Sequence, residues 1–99
     1  MPITANEVRR AVQALGYNTR ADAYSRAKSR PHIKVDQYPA GAPVRVTVAL
    51  AEVTAPSEID AREEDTATAA YVAESLRISG YVVDPDPQCG WILIIDKEN

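Results

Sequence analysis

Residues 81–95, YVVDPDPQCGWILII, contain the pattern that decides the fold. The apolar stretch at 81–83 leads into a turn rich in Pro and Asp, and an uninterrupted apolar run follows at 91–95. This arrangement is typical of two strands joined as a hairpin. A strand with one wet face would alternate apolar and polar residues. The run at 91–95 therefore predicts a strand in the interior of the sheet, or one with a face that meets another molecule.

An earlier part of the chain has a second hairpin pattern. Apolar residues alternate with polar ones over 32–36, and again over 44–50, around a loop at 39–43 that begins and ends with proline. Alternation with a period of two indicates strands. Each of these strands would have one buried and one wet face, as an antiparallel sheet allows.

A helical pattern that ends in Gly-Tyr precedes each hairpin. The first helix is predicted over 4–15, because Thr4 and Glu7 have the spacing of a capping box and Gly16 supplies a left-handed stop. The main second helix is predicted over about 62–79. A short, weakly apolar helix is also predicted between 18 and 30.

The order of elements is α(α)ββαββ, and we expect residues 1–99 to form a single small domain. This order favours an α+β two-layer sandwich, in which a four-stranded antiparallel sheet packs two main helices mainly on one face. The alternative is a winged-helix-like arrangement, in which the first helices pair through the turn at 16–18 and a hairpin forms the wing.

Charge is divided along the chain. Residues 1–50 hold eight Lys or Arg and three Asp or Glu, whereas residues 51–99 hold three and eleven. The basic excess is densest in segment 20–34, where cations could neutralise phosphates and a tyrosine could stack on a base. We therefore expect a non-enzymatic binding module that contacts DNA or RNA. The candidate nucleic-acid-binding residues are Arg20, Tyr24, Arg26, Lys28, Arg30 and Lys34.

The alternative is a protein-interaction module, such as an inhibitor or adaptor, or a homodimer. Its surface would be the acidic run 58–65, with Glu63 and Glu64, although the dipole of the following helix already favours acids there. A second possible surface is the apolar strand, because helices on one side of the sheet would leave alternate residues exposed. The exposed residues would be either Ile92 and Ile94 or the other alternate set, which includes Trp91 and Leu93. We predict that Trp91 and Leu93 form the interface.

No motif for catalysis or cofactor binding is present, so we expect no enzyme, no catalytic residue, no metal and no cofactor. His32 and Cys89 are each the one residue of their kind and lie in different hairpins. Asp84 and Asp86 have calcium-loop spacing without the central Gly and distant Glu of an EF-hand. The sequence has no signal-peptide or membrane-span pattern, which favours the cytoplasm. Its small size would suit an accessory protein of a phage or mobile element.

Overall fold

The computed structural model describes residues 3–17, 19, 32–39, 41–50 and 57–97. They form two helices and a four-stranded antiparallel sheet, which confirms the predicted α+β fold. Neither described helix has the length and apolar content needed to cross a lipid bilayer. In chain order the elements are α1 (Ala5–Ala14), β1 (His32–Asp36), β2 (Val44–Ala49), α2 (Glu58–Ile78), β3 (Tyr81–Pro85) and β4 (Ile92–Lys97).

The two hairpins join into one sheet with the strand order β1-β2-β4-β3. Strand β4 pairs with β3 on one side and with β2 on the other, for example through Val46 and Leu93. The apolar strand therefore lies in the sheet interior, as predicted. The two-layer sandwich is thus the arrangement observed, while the short helix predicted between 18 and 30, on which the winged-helix alternative depends, lies outside the described residues.

The helix ends follow the predicted capping signals. The side chain of Thr4 accepts a hydrogen bond from the Glu7 N–H, and Glu7 Oε1 accepts one from the Thr4 N–H at 3.1 Å. Helix α2 begins four residues earlier than predicted, because Ser57 caps it and accepts from the Asp60 N–H at 3.1 Å. Gly16 and Gly80, which follow the helices, have φ of 96° and 98°, where a Cβ would be strained.

Both helices pack on the same face of the sheet, which we call the covered face. Helix α1 contacts β1, and α2 contacts β2, β3 and β4. Alternate residues of all four strands point into this layer and are buried against the helices. The covered-face strand residues are Ile33, Val35, Val44, Val46, Val48, Val83, Leu93 and Ile95. The other side of the sheet, which no described helix or strand covers, is called the open face.

Polar side chains fix the helices and strands relative to one another. Gln37, just after β1, donates from Nε2 to the carbonyl oxygens of Ile3 and Ala42, both at 2.8 Å. At the opposite edge of the sheet, Arg77 of α2 donates from Nη2 to the Val83 carbonyl oxygen at 2.7 Å. These contacts join each helix to a neighbouring strand or loop, and the covered face is therefore held by hydrogen bonds as well as by packing.

Candidate functional site: the open face of the sheet

The open face has an apolar centre with charged residues on both sides. Ile92 and Ile94 of β4 are half-buried there, and Val82 of β3 is 44% exposed. Strand register places Arg45 opposite Ile94, and Ile94 opposite Asp84, in one row across the sheet. A wet sheet face normally carries polar residues at such positions. Isoleucines at the centre of this face are therefore the first sign of a binding surface.

The charges on the open face are arranged by strand. Lys34 on β1 forms an ion pair with Asp36 at 3.6 Å, with both side chains about half exposed. Arg45 on β2 and Asp84 on β3 are exposed, and neither forms an ion pair with a described residue. Two strand spacings separate their backbones, roughly 10 Å, so they do not neutralise each other. Among the described residues, the β1–β2 half of the face therefore has an unpaired cation, Arg45, and the β3–β4 half has an unpaired carboxylate, Asp84.

A depression of ≈ 580 Å³ lies at the β1–β2 end of the open face. Its lining combines the charged residues of the two strands, the loop between them and one isoleucine of β4. Tyr38 forms part of its rim with 93% of its surface exposed. Tyr and Arg are the residue types most often found at the energetic centre of protein interfaces. The lining residues are Lys34, Asp36, Gln37, Tyr38, Ala42, Pro43, Arg45 and Ile94.

Most of the predicted nucleic-acid site cannot be placed on this surface. Of its members, Lys34 is the one that the structure describes: it is exposed on β1, and its partner is Asp36 on the same strand rather than the acidic run of α2. The other predicted members lie outside the described residues. They are Arg20, Tyr24, Arg26, Lys28 and Arg30.

The structure places the two residues of the predicted apolar interface in different surroundings. Leu93 is 2% exposed, since it points at the helices and belongs to the core, and so it offers no surface to a partner. Trp91 is half-buried beneath the guanidinium of Arg62, 4.3 Å from the ring centroid. The open face is formed instead by Ile92 and Ile94, which were the other possibility in the sequence. Leu93 and Ile94 face opposite sides of the sheet because successive residues of a strand point to opposite faces.

The acidic run 58–65 is divided between the surface and the interior. Glu63 and Glu64 are exposed on α2, as an interface would require. Asp65, in contrast, is fully buried, and its Oδ1 accepts a hydrogen bond from the Leu50 N–H at 3.0 Å. Glu58 pairs with Arg62 at 3.7 Å, within the first turns of the helix. Because of these internal roles, the run is less suited to being a continuous acidic surface than its sequence indicates.

Asp86, which was considered as a calcium ligand, has a structural role in the turn between β3 and β4. Asp86 accepts hydrogen bonds from the N–H groups of Gln88 and Cys89 at 2.8 and 3.2 Å, and so it closes the β3–β4 turn. In the described part of the chain, no group of three or more His, Cys, Asp or Glu side chains is placed to hold a metal ion. His32 lies on β1, and Cys89 is half-buried in that turn.

Two tyrosines on the covered side of the molecule have raised pKa values. Burial raises the pKa of Tyr81, and the hydrogen bond that its hydroxyl donates to Glu7 Oε2 at 3.0 Å raises it further. Burial also raises the pKa of Tyr17, with a smaller contribution from Tyr71. Both tyrosines pack against the core, so these shifts report packing rather than a reactive centre.

Arg45 and Tyr38 were not singled out by the sequence analysis, and Asp84 was considered there only as a calcium ligand. Arg45 could have been found, because it occupies a wet position of an alternating strand. Its relation to Asp84 could not have been found, because that relation depends on β2 and β3 lying on either side of β4.

Together, the fold and the surface define a small α+β domain whose sheet has one covered face and one open face. No protein-family model, curated protein or solved structure matches the chain in comparison.

Proposed function

We propose that this chain is a non-enzymatic protein-interaction module that binds a partner protein through the open face of its sheet. The observation that carries the proposal is the pair Ile92 and Ile94, which occupy the centre of a face that no described element covers. An apolar centre with a polar, charged edge is the usual anatomy of a protein interface. Arg45 and Tyr38, beside this centre, are residue types that contribute strongly to binding energy.

The chemistry of this face favours protein over nucleic acid. Sheet surfaces that bind single-stranded nucleic acid use aromatic side chains as stacking platforms within a positively charged groove. One exposed aromatic ring, that of Tyr38, is described at the edge of this face, and the described open-face side chains of the strands include isoleucine, valine and threonine. They also include Asp36, Asp84 and Asp96, which would repel phosphates. A protein partner can accommodate both the apolar centre and the acids.

Nucleic-acid binding remains a second candidate because of the charge of segment 20–34. This segment, with four arginines and lysines before the exposed Lys34, leads directly into β1 at the margin of the open face. Phosphate contacts of this kind would weaken steeply as salt is added. Filter binding of DNA and RNA at low salt tests this candidate, and a complete lack of retention would eliminate it.

The protein-interaction proposal is tested by comparing two isoleucine variants in partner capture. Ile94→Thr keeps a β-branched side chain but removes apolar surface from the open face. Ile78→Thr makes the same change on α2, in the helix layer that covers the other face of the sheet, where Ile78 is 80% exposed. A partner recovered by the wild type would be identified by mass spectrometry and purified, and its Kd measured. We expect Ile94→Thr to raise that Kd about tenfold, a loss typical of a central interface residue.

The control decides the meaning of this result. Ile78→Thr should bind as the wild type does, and circular dichroism should show that both variants are folded. Equal binding by all three proteins would place the interaction elsewhere. Charge reversal of Glu63 and Glu64 then asks whether α2 forms the interface, as the alternative use of the acidic run requires.

A further inference from the structure

We infer that the partner of the open face is a second copy of this chain, which would form a symmetric dimer with the two open faces together. The inference rests on the proposed function and specifies its partner. Two features support it: the apolar centre of the face, and the opposite charges on its two halves. Arg45 lies on the β1–β2 half and Asp84 on the β3–β4 half, with Ile94 between them in the same row.

This arrangement is self-complementary under a two-fold axis. Most homodimers have such an axis, and the same surface patch of each copy then meets itself. A two-fold axis that runs parallel to the strands, over β4 and midway between two facing sheets, places β2 of one copy over β3 of the other and the two β4 strands over each other. Arg45 of each copy would then lie beside Asp84 of the other. A single dimer would therefore contain two such charge pairs, while the isoleucines of the two β4 strands pack at its centre.

The order of strands makes the complementarity possible. Arg45 and Asp84 are open-face charges that lack an ion-pair partner among the described residues, whereas Lys34 and Asp36 already neutralise each other on β1. Sheets that pack face to face keep their strands nearly aligned, which matches an axis along the strands. The same operation places Ile92 and Ile94 of one copy over those of the other, because β4 lies on the axis.

The size of the face sets the expected affinity. Four strands and about five residues per strand give a face of roughly 19 Å by 17 Å. The part of it that two copies share is well below the roughly 800 Å² per partner of a standard interface, so we expect a weak, reversible dimer with a Kd in the high micromolar range. Sedimentation velocity over a wide range of concentration should therefore show the mass rising from that of a monomer to that of a dimer.

Two charge-reversed variants provide the decisive experiment. Arg45→Glu alone would place two like-charged pairs in the dimer, and so would Asp84→Lys alone. We expect each variant by itself to raise the dimer Kd by at least about tenfold, since like charges in apposition are strongly unfavourable. Mixed in equal amounts, the two variants should associate with nearly wild-type affinity. In the mixed dimer the two introduced side chains, which have opposite charges, face each other at one contact, and the native pair of Arg45 and Asp84 re-forms at the other.

Matched controls make the same charge changes on the helices. Arg10 of α1 and Glu64 of α2 are both exposed, so Arg10→Glu and Glu64→Lys should leave the mass unchanged at every concentration. A wild-type chain that remains monomeric throughout would overturn the inference, as would a dimer that Arg45→Glu leaves intact or a mixture that fails to associate. If the chain is monomeric but Ile94→Thr still weakens a captured partner, the proposed function stands and the dimer alone is rejected.

Discussion

The two faces of the sheet are formed by alternate residues of the same four strands, yet they are chemically different. On β4, Leu93 and Ile95 are fully packed against the helices, while Ile92 and Ile94, which alternate with them, are half-buried on the open face. On β2 the contrast is conventional, because the buried valines alternate with Arg45 and Thr47. Thus β2 has the composition of a strand with one solvent-exposed face, whereas β4 has the composition of a strand with both faces covered. A partner on the open face would account for that difference.

The largest expected effect comes from truncating one residue on each face of β4. Leu93→Ala removes a fully buried side chain and should lower the free energy of unfolding by about 2–5 kcal/mol. Ile94→Ala removes partly exposed surface, and its cost should be about 1 kcal/mol in the monomer. Urea denaturation at low protein concentration measures both values. Equal losses would show that the open face is as well packed in the monomer as the covered face.

The same pair of variants becomes more informative when the protein concentration is raised. Association with a partner stabilises the folded state by mass action, so a dimer makes stability depend on concentration. The cost of Ile94→Ala should then grow with concentration, while that of Leu93→Ala should change less. An Ile94→Ala cost that is independent of concentration would argue against a partner copy on the open face.

The next effect concerns how α2 is held on the covered side of the sheet. Asp65→Ala removes the acceptor of the Leu50 N–H at the end of β2 and should cost about 1–3 kcal/mol. Glu64→Ala, the matched change at the adjacent exposed position, should alter stability by less than about 0.5 kcal/mol. Thermal unfolding of the two variants checks this. Similar losses would mean that the buried carboxylate contributes no more than a surface one.

Asp65 also shows what the sequence can and cannot predict. The apolar stripe of α2 contains Ala69, Val72, Ala73 and Leu76. One helical turn before Ala69, the same face of the helix carries Asp65. Burial of this residue was therefore detectable, although its position in a run of acids indicated exposure. Helix caps and strand alternation were predicted well because they depend on neighbours in sequence.

The orientation of β4 was not predictable in the same way. Both sets of alternate residues in 91–95 are apolar, so the sequence contains no signal that distinguishes the covered set from the open one. Pairing with β2 and β3 decides it, since Leu93 lies opposite Val46 and Ile95 opposite both Val44 and Val83. The candidate site depends on this long-range register, and for that reason Ile94 and Asp84 became a site only in the folded protein.

A smaller effect is expected where the β3–β4 turn approaches α2. A Cβ at Gly90 would lie 2.9 Å from Cγ2 of Thr66, which is closer than van der Waals contact allows. Gly90→Ala should cost about 1 kcal/mol, at the low end for overpacking, because Thr66 is exposed and can move. Thr66→Ala in the same chain should recover most of the loss, and a double-mutant cycle measures this coupling. Strict additivity would show that the turn and helix are not in contact.

The smallest effect comes from Tyr81, which links β3 to α1 on the covered side. Tyr81→Phe removes the hydrogen bond to Glu7 and should cost about 1 kcal/mol at neutral pH. Because folding raises the pKa of Tyr81 above its ordinary 10.0, the folded state binds this proton more tightly than the unfolded state. The resulting stabilisation is fully present below pH 10.0 and is lost as the pH rises through the raised pKa.

Urea denaturation across the alkaline range separates this contribution from general loss of stability. Tyr81→Phe should decline less steeply than the wild type above pH 10.0, and Tyr17→Phe should do so as well, because burial raises the pKa of Tyr17. Both tyrosines pack against the core beneath the covered face, so open-face variants such as Arg45→Glu should retain the wild-type slope in the monomer. A Tyr81→Phe curve parallel to that of the wild type would mean that the Tyr81 hydroxyl is as well hydrated in the folded protein as in the unfolded chain. The two faces of the sheet would then differ less in burial than the packing indicates.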